Sequence, residues 1–182
     1  MSLEEYIARR CQKGDSDAQR QLYETYAGWL LGVCLRYVGQ RSVAEDLLQD
    51  GFIKILTNIK HFRWQGEGSL RAWLFKVERN VIIQYLRSKG NELLSIDENM
   101  QEIMEVQEPE NINGVPLDVL MQMIGELPFG YRTVFNLYII DGHSHREIAQ
   151  LLGIKERSSA SQLFHARRMM ADKINSWKKE NL

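Results

Sequence analysis

The chain has 182 residues, 44% hydrophobic and 26% charged, with 13 glycines and 3 prolines; this fits one ordinary globular domain or two small ones and excludes disordered and collagen-like chains. Its net charge of −1 conceals a division, because residues 91–116 hold seven acids (Glu92, Asp97, Glu98, Glu102, Glu105, Glu108, Glu110) and no Lys or Arg, leaving 23 basic against 17 acidic residues elsewhere. Two basic blocks, Lys60 to Lys89 with seven basic and two acidic residues and Ile154 to Leu182 with seven and three, are candidate nucleic-acid faces; on charge alone, solvated helix surfaces account for them equally well.

The chain opens with Glu4, Glu5, Arg9 and Arg10 where a signal peptide places an apolar run, and no stretch approaches the roughly 18 apolar residues of a membrane span. A cytoplasmic protein with no direct membrane insertion is expected. Cys11 and Cys34 are too few and wrongly spaced for a zinc site and read as reduced core thiols. Ser42 and Glu45 spell a capping box opening a helix to about Ile59, with Leu48, Ile55, Leu56 and Ile59 apolar. On its other side Asp46, Gln49 and Asp50 stand at i, i+3 and i+4 beside Phe52 and Ile53. An acidic patch next to apolar groups suits a basic helical partner as well as it suits solvent.

Residues His61 to Gly68 mix aromatics, a cation and glycines, and aromatic and Arg side chains can stack on unpaired bases. Ser69 is expected to cap the next helix, whose stripe of Leu70, Trp73, Leu74, Val77, Val81 and Tyr85 leaves Arg71, Lys76, Arg79, Asn80 and Arg87 outward. Trp73 belongs to the core at that spacing, whereas Trp64 in the loop is available to a ligand. Turn formers then gather around Pro109, Asn111, Asn113, Gly114 and Pro116, so 91–116 reads as a flexible acidic linker between two small all-α domains, 1–90 and 117–182.

In the second domain Ser144 and Glu147 form a capping box, Ile148, Leu151 and Leu152 give an apolar face, and Gly153 is placed to take the positive φ that ends the helix. A second helix starts near Glu156, and Ala149 is small where two crossing helices press together, which is helix-turn-helix grammar. The second helix carries Ser158, Ser159, Ser161, Gln162, His165, Arg167 and Arg168, short hydrogen-bonding groups followed by charge, over a buried stripe of Leu163, Ala166 and Met170. A recognition helix reads base edges and phosphates in this way. Serines that merely cap and solvate a surface helix remain the alternative. His143 and His145 flank the cap with no matching ligand cluster, and no metal, cofactor or catalytic centre is expected.

Ala44-Glu-Asp-Leu-Leu-Gln-Asp-Gly-Phe52, Arg71-Ala-Trp-Leu-Phe-Lys-Val-Glu-Arg-Asn80 with Tyr85-Leu-Arg87, Leu127-Pro-Phe-Gly-Tyr-Arg-Thr-Val-Phe135, and Ser144 to Arg168 fall into one known order. The chain closely resembles the extracytoplasmic-function group of bacterial sigma factors over nearly all its length except the acidic segment and the extreme ends. The resemblance implies a subunit that binds bacterial core RNA polymerase and directs promoter recognition, DNA melting and transcription initiation. Its first domain would serve the minus-10 element and its second the minus-35 element of promoter DNA.

By the same resemblance Asp46, Gln49, Asp50 and Phe52 would dock on polymerase, and loop residues 62–68, with Phe62 and Trp64, would capture a flipped minus-10 base near Arg79 and Asn80. Arg132, Ser161, Phe164 and His165 would meet minus-35 DNA, flanked by Arg157 and Arg168. Such factors are commonly restrained by an anti-sigma factor, a partner expected here. The chain departs from many relatives at Ala160, Gln162 and His165, where they carry basic side chains, at Arg157 and Ser159, where glycine and valine are commoner, and at Gln84, often Asp. The promoter sequence therefore cannot be copied from a relative. A stand-alone helix-turn-helix regulator, or a helical adaptor that binds no DNA, are the rival readings.

Overall fold

The computed structural model describes residues 2–90 and 114–181, and every regular element among them is helical. The chain divides into two compact units, residues 1–84 and 85–182. The expected linker, 91–116, lies outside the described residues apart from 114–116.

The first unit is built from α1 (Leu3–Gln12), α2 (Ser16–Val38), α3 (Arg41–Asn58), one 3-10 turn (Ile59–His61) and α4 (Ser69–Ser88), whose last residues pass the division at Gln84. Asp15 makes the corner between α1 and α2: its carboxylate accepts from the N–H groups of Asp17 and Ala18 at 3.0 Å and from Arg10 Nε at 2.7 Å. The Ala18 N–H and then the Arg10 guanidinium hold this carboxyl below the usual carboxylate range. Leu22, Leu30, Ile55, Leu70 and Leu74 close the core, with Trp73 half-buried against it, and Cys11 and Cys34 are free and buried. Burial pushes the Cys11 thiol up to about 11, and Cys34 moves in the same direction, which suits unreactive core thiols.

Two helix starts differ from expectation. α3 begins at Arg41, one residue before Ser42, without a side-chain cap, and Glu45 is taken by Arg41 at 2.8 Å across one turn. At α4 the Gly68 carbonyl accepts from the Ala72 N–H, while the Ser69 hydroxyl turns back into the loop, donating to the Gly66 carbonyl at 2.6 Å and accepting from the Gln65 N–H at 3.3 Å. Ser69 closes the loop and does not cap the helix.

In the second unit α5 (Leu117–Gly125) and α6 (Phe129–Phe135) are followed by one wide turn (Asn136–Ile140), α7 (His145–Leu152) and the long α8 (Glu156–Asn181). Met123, Ile124 and Leu127 pack against Ala166, Met170 and Ile174 of α8, and Ile148 and Leu152 bury the inner face of α7. Both sides of the capping box are present: the Glu147 N–H donates to Ser144 Oγ at 3.3 Å and the Ser144 N–H to Glu147 Oε2 at 2.8 Å. Gly153 adopts φ 71°, ψ 30°, the left-handed conformation that ends α7 and turns the chain toward α8.

One carboxyl lies inside the first unit. Glu78 of α4 is fully buried, and its Oε1 accepts from the Cys34 thiol at 3.1 Å. Its Oε2 has no hydrogen-bond partner among the described residues and lies where a Cβ on residue 51 would stand, so glycine at that position lets α3 and α4 close over the carboxyl. Desolvation, opposed by the Cys34 bond and assisted by the charge of Asp50, pushes Glu78 up to about 7.

Because the folded state holds this proton more tightly than the ordinary value of 4.5, the Glu78 contribution to stability is complete below about pH 4.5. It should fall by on the order of 3 kcal/mol as pH rises to about 7, the folded value. Denaturant midpoints followed by tryptophan fluorescence from pH 4.5 to 8 check this. Glu78→Gln should remove the fall, and a native-like slope in that variant would dismiss Glu78 as its source. Ser144→Ala should destabilise the second unit by about 1 kcal/mol, read from its thermal midpoint, through loss of the cap.

Candidate functional site

The expected partner face of α3 forms a single stripe. Asp46, Gln49, Asp50 and Ile53 are all exposed, Ile53 by 63%, at i, i+3, i+4 and i+7. Phe52 is not on it. It points into the core at 5% exposure, its ring centre 4.7 Å from that of Tyr23 on α2, which is itself exposed. The expectation that Phe52 offers itself to a partner is therefore corrected to a supporting role beneath the stripe. Tyr23, which the sequence reading did not single out, is the aromatic on the surface.

The loop after α3 divides in the same way. Phe62 is 7% exposed with its ring 5.5 Å from that of Trp73, so it anchors the loop and cannot stack on a base without leaving the core. Trp64 is half-buried and packs against the core cluster, a lesser exposure than expected for a free ligand-stacking group. Arg63, Gln65 and Glu67 are the exposed side chains of the loop. The loop is tied at both ends to α1: Gln12 Nε2 donates to the Phe62 carbonyl at 2.7 Å, and Glu4 Oε2 accepts from the Gly68 N–H at 2.7 Å. On α4, Asn80 is exposed, Arg79 is half-buried with its guanidinium 5.9 Å from the Phe75 ring centre, and Arg71 lies 4.5 Å over the Trp29 ring.

In the second unit the exposed and half-exposed residues Arg157, Ser161, Phe164 and Arg168 recur at i, i+4, i+7 and i+11 on α8, within about 60° of rotation of one another. His165 sits at the flank of this stripe, stacked on Tyr131 with ring centres 5.4 Å apart. Ser159 and Gln162, counted in sequence among the hydrogen-bonding groups of the recognition helix, are buried on the opposite side. Ser159 meets His145 Nδ1 at 3.0 Å, and the His145 ring stacks on Tyr138 at 4.5 Å. Burial pulls His145 below its ordinary value, and its bond to Ser159 joins α7 to α8.

Arg132 also moves inward. It is 8% exposed, and its Nη1 donates to the carbonyls of Gly125 at 2.6 Å and Leu127 at 3.3 Å, where the last turn of α5 needs donors. Desolvation lowers its pKa, as expected of a cation spent on structure. Arg132, expected to meet DNA, thus lies inward, bonded to the corner between α5 and α6.

Among the described residues no three His, Cys, Asp or Glu gather where they could hold a metal ion, and no helix is long and apolar enough to cross a membrane.

Residues 22–92 match the family described as Sigma-70 region 2, and residues 117–170 match Sigma-70, region 4. The ECF RNA polymerase sigma-E factor of Haemophilus influenzae is 27% identical over 179 residues, 92% of this chain and 93% of its own. The ECF RNA polymerase sigma factor SigM of Bacillus subtilis is 28% identical over 152 residues, 82% of this chain and 91% of its own. The sigma-E factor of Escherichia coli K12 is 28% identical over 182 residues, 94% of each chain. Among solved structures, the sigma factor RpoE of Bartonella quintana, crystallised with the anti-sigma factor NepR, is 22% identical at a TM-score of 0.47, covering 86% of this chain and 96% of that one.

Proposed function

The chain belongs to the extracytoplasmic-function group of the sigma-70 family, and from that premise we propose how its exposed stripes divide the work between polymerase and promoter. It is an alternative sigma factor that directs transcription initiation by core RNA polymerase. The reading is carried by one observation: an acidic, partly apolar stripe on α3 and a helix-turn-helix with an outward polar stripe occur on one chain in that order.

Asp46, Gln49, Asp50 and Ile53 dock against a basic helical surface of core polymerase, with Tyr23 widening the contact and Phe52 stiffening it from below. The loop from Phe62 to Gly68 serves the minus-10 element: Arg63 and Gln65 are its accessible groups, Trp64 offers one edge, and Phe62 fixes its start. Arg79 and Asn80 lie along the separated strand. Arg157, Ser161, Phe164 and Arg168 enter the minus-35 major groove, with His165 at the margin. Domains 1–90 and 117–182 are the two working parts, and the acidic charge of 91–116 between them discourages either from holding DNA unaided.

No bond chemistry belongs to this activity. Melting is driven by binding energy for unpaired bases, which offsets unstacking at a cost of roughly a few kcal/mol per step. Two sites on one chain gain from effective concentration, since engagement of one confines the search of the other. The cytoplasm, where polymerase works, is the compartment this reading assigns. An anti-sigma factor that covers the same exposed stripes is its natural restraint.

Binding of fluorescently labelled chain to bacterial core RNA polymerase at moderate salt is the first test. Asp50→Lys, folded by circular dichroism, should bind about a hundredfold more weakly, because a like charge placed against a basic surface costs several kcal/mol. A native chain that ignores polymerase but holds duplex DNA tightly, with Asp50 irrelevant, would make it a stand-alone regulator. His165→Arg should shift the minus-35 base preference of the holoenzyme in a randomised promoter selection; an unchanged profile refutes a reading role for that position.

A further inference from the structure

We infer that α1 is a positioning strap: Glu4 and Gln12 hold the two ends of the loop 62–68 at a fixed separation and so set how selectively that loop discriminates an unpaired minus-10 base. The inference rests on the promoter reading of the loop and assigns a role to a helix outside the matched family region, which begins at residue 22.

Packing holds the start of the loop, through the buried Phe62 and the half-buried Trp64, whereas its backbone path is fixed by hydrogen bonds. Its local bonds, from Ser69 Oγ and the Ser69 N–H to the Gly66 carbonyl and from the Gln65 N–H to Ser69 Oγ, close its second half against the start of α4. Among the described residues, its hydrogen bonds to distant segments come from α1. Gln12 Nε2 donates to the Phe62 carbonyl at 2.7 Å and to the Ile59 carbonyl at 3.2 Å, reaching across 50 and 47 residues of sequence. Glu4 Oε2 accepts from the Gly68 N–H at 2.7 Å across 64 residues. A carboxylate accepting from a backbone N–H makes a charge-assisted bond, stronger than its neutral counterpart.

The strap is itself rigid. Ile7, Ala8 and Cys11 bury its inner face in the core of the unit, and the bond from Arg10 to Asp15 fixes its exit into α2. Glu4 is further oriented by the Tyr26 hydroxyl, which donates to its Oε1 at 3.1 Å; burial first, and then the Glu4 charge, push that phenol up to about 12, so it remains a donor. Glu4 and Gln12 are eight residues apart on one helix, a spacing of about 12 Å along its axis. A loop pinned at both ends to such a ruler presents Arg63, Trp64 and Gln65 along one backbone path. Selectivity of a binding site depends on holding its groups within about 0.5 Å of the productive geometry.

The test uses the full chain as Glu4→Ala, Glu4→Gln and Gln12→Ala variants. Hydrogen exchange of the free protein over residues 63–69 is measured first. Transcription by holoenzyme with bacterial core polymerase from templates randomised over the minus-10 region, with transcripts sequenced, is measured second. Glu4→Ala and Gln12→Ala should each raise loop exchange, and lower discrimination at the most selective minus-10 position, by about three- to tenfold, the range a lost hydrogen bond commands. Glu4→Gln, whose amide oxygen still accepts from Gly68 but without the charge, should fall between the native chain and Glu4→Ala on both readouts. Loss of stability alone would reduce transcript yield without changing base preference, which overturns the inference, as does unchanged preference in a variant whose loop exchange has risen, or unchanged exchange in both alanine variants. A native holoenzyme that selects no minus-10 base overturns the promoter reading and the strap with it, and is told apart because the native chain then fails before any variant is compared.

Discussion

A helix that commits one stripe to a core can offer a partner only the opposite stripe, and that constraint decides which side chains of this chain reach its surface. On α3, burial of Leu48, Phe52 and Ile55 leaves Asp46, Gln49, Asp50 and Ile53 to face outward. On α8, burial of Ser159, Gln162, Leu163, Ala166 and Met170 leaves Arg157, Ser161, Phe164 and Arg168. Each partner face is thus the complement of a packing face. A one-residue insertion would turn the following part of either helix by about 100°, carrying part of the outward stripe into the packing face and part of the core stripe toward water.

Polar groups that leave the surface do structural work of a definite kind. Arg132 gives one guanidinium nitrogen to two carbonyls at the end of α5, where unpaired acceptors would otherwise be buried. His145 and Ser159 join α7 to α8 through a hydrogen bond between partly and fully buried groups. An eight-residue helix such as α7 is too short to persist by propensity alone, so this bond, its capping box and the burial of Ile148 and Leu152 hold the turn of the reading head in one geometry. Glu78 is the costlier case, a carboxyl with one thiol partner beneath Gly51. Its proton offsets what its desolvation would otherwise cost.

Local grammar explains what sequence could and could not reveal. Ser144, Glu147 and Gly153 are legible because a capping box and a left-handed C-cap are decided within a few residues. The same grammar misplaces Ser42 and Ser69, since Arg41 claims Glu45 and the Ser69 hydroxyl finds a nearer carbonyl in its own loop. Two inward residues carried a signal that resemblance overrode: Phe52, Ile55, Ile59 and Phe62 are spaced 3, 4 and 3 apart, a continuous apolar stripe running from α3 into the loop. Nothing local foretells the burial of Arg132, which depends on where α5 ends. Nor does local pattern foretell the ties of Glu4 and Gln12 to segments 64 and 50 residues away. Family motifs locate a position along the chain; only packing says which way its side chain points.

The two stripes are narrow, each presenting about four side chains, and each alone commands limited affinity, because only a few contacts in any interface contribute much beyond complementarity. Their signs are opposed. The α3 stripe carries Asp46 and Asp50 and the α8 stripe Arg157 and Arg168, so the two suit ligands of opposite charge. The overall charge of −1 is compatible with DNA binding, since 91–116 holds seven of the acids and leaves 23 basic against 17 acidic residues elsewhere. On the proposed reading, such a chain would have weak attraction for DNA while free and strong attraction once polymerase occupies the acidic stripe. Specificity then comes from requiring both engagements together, with neither face needing to be tight in isolation.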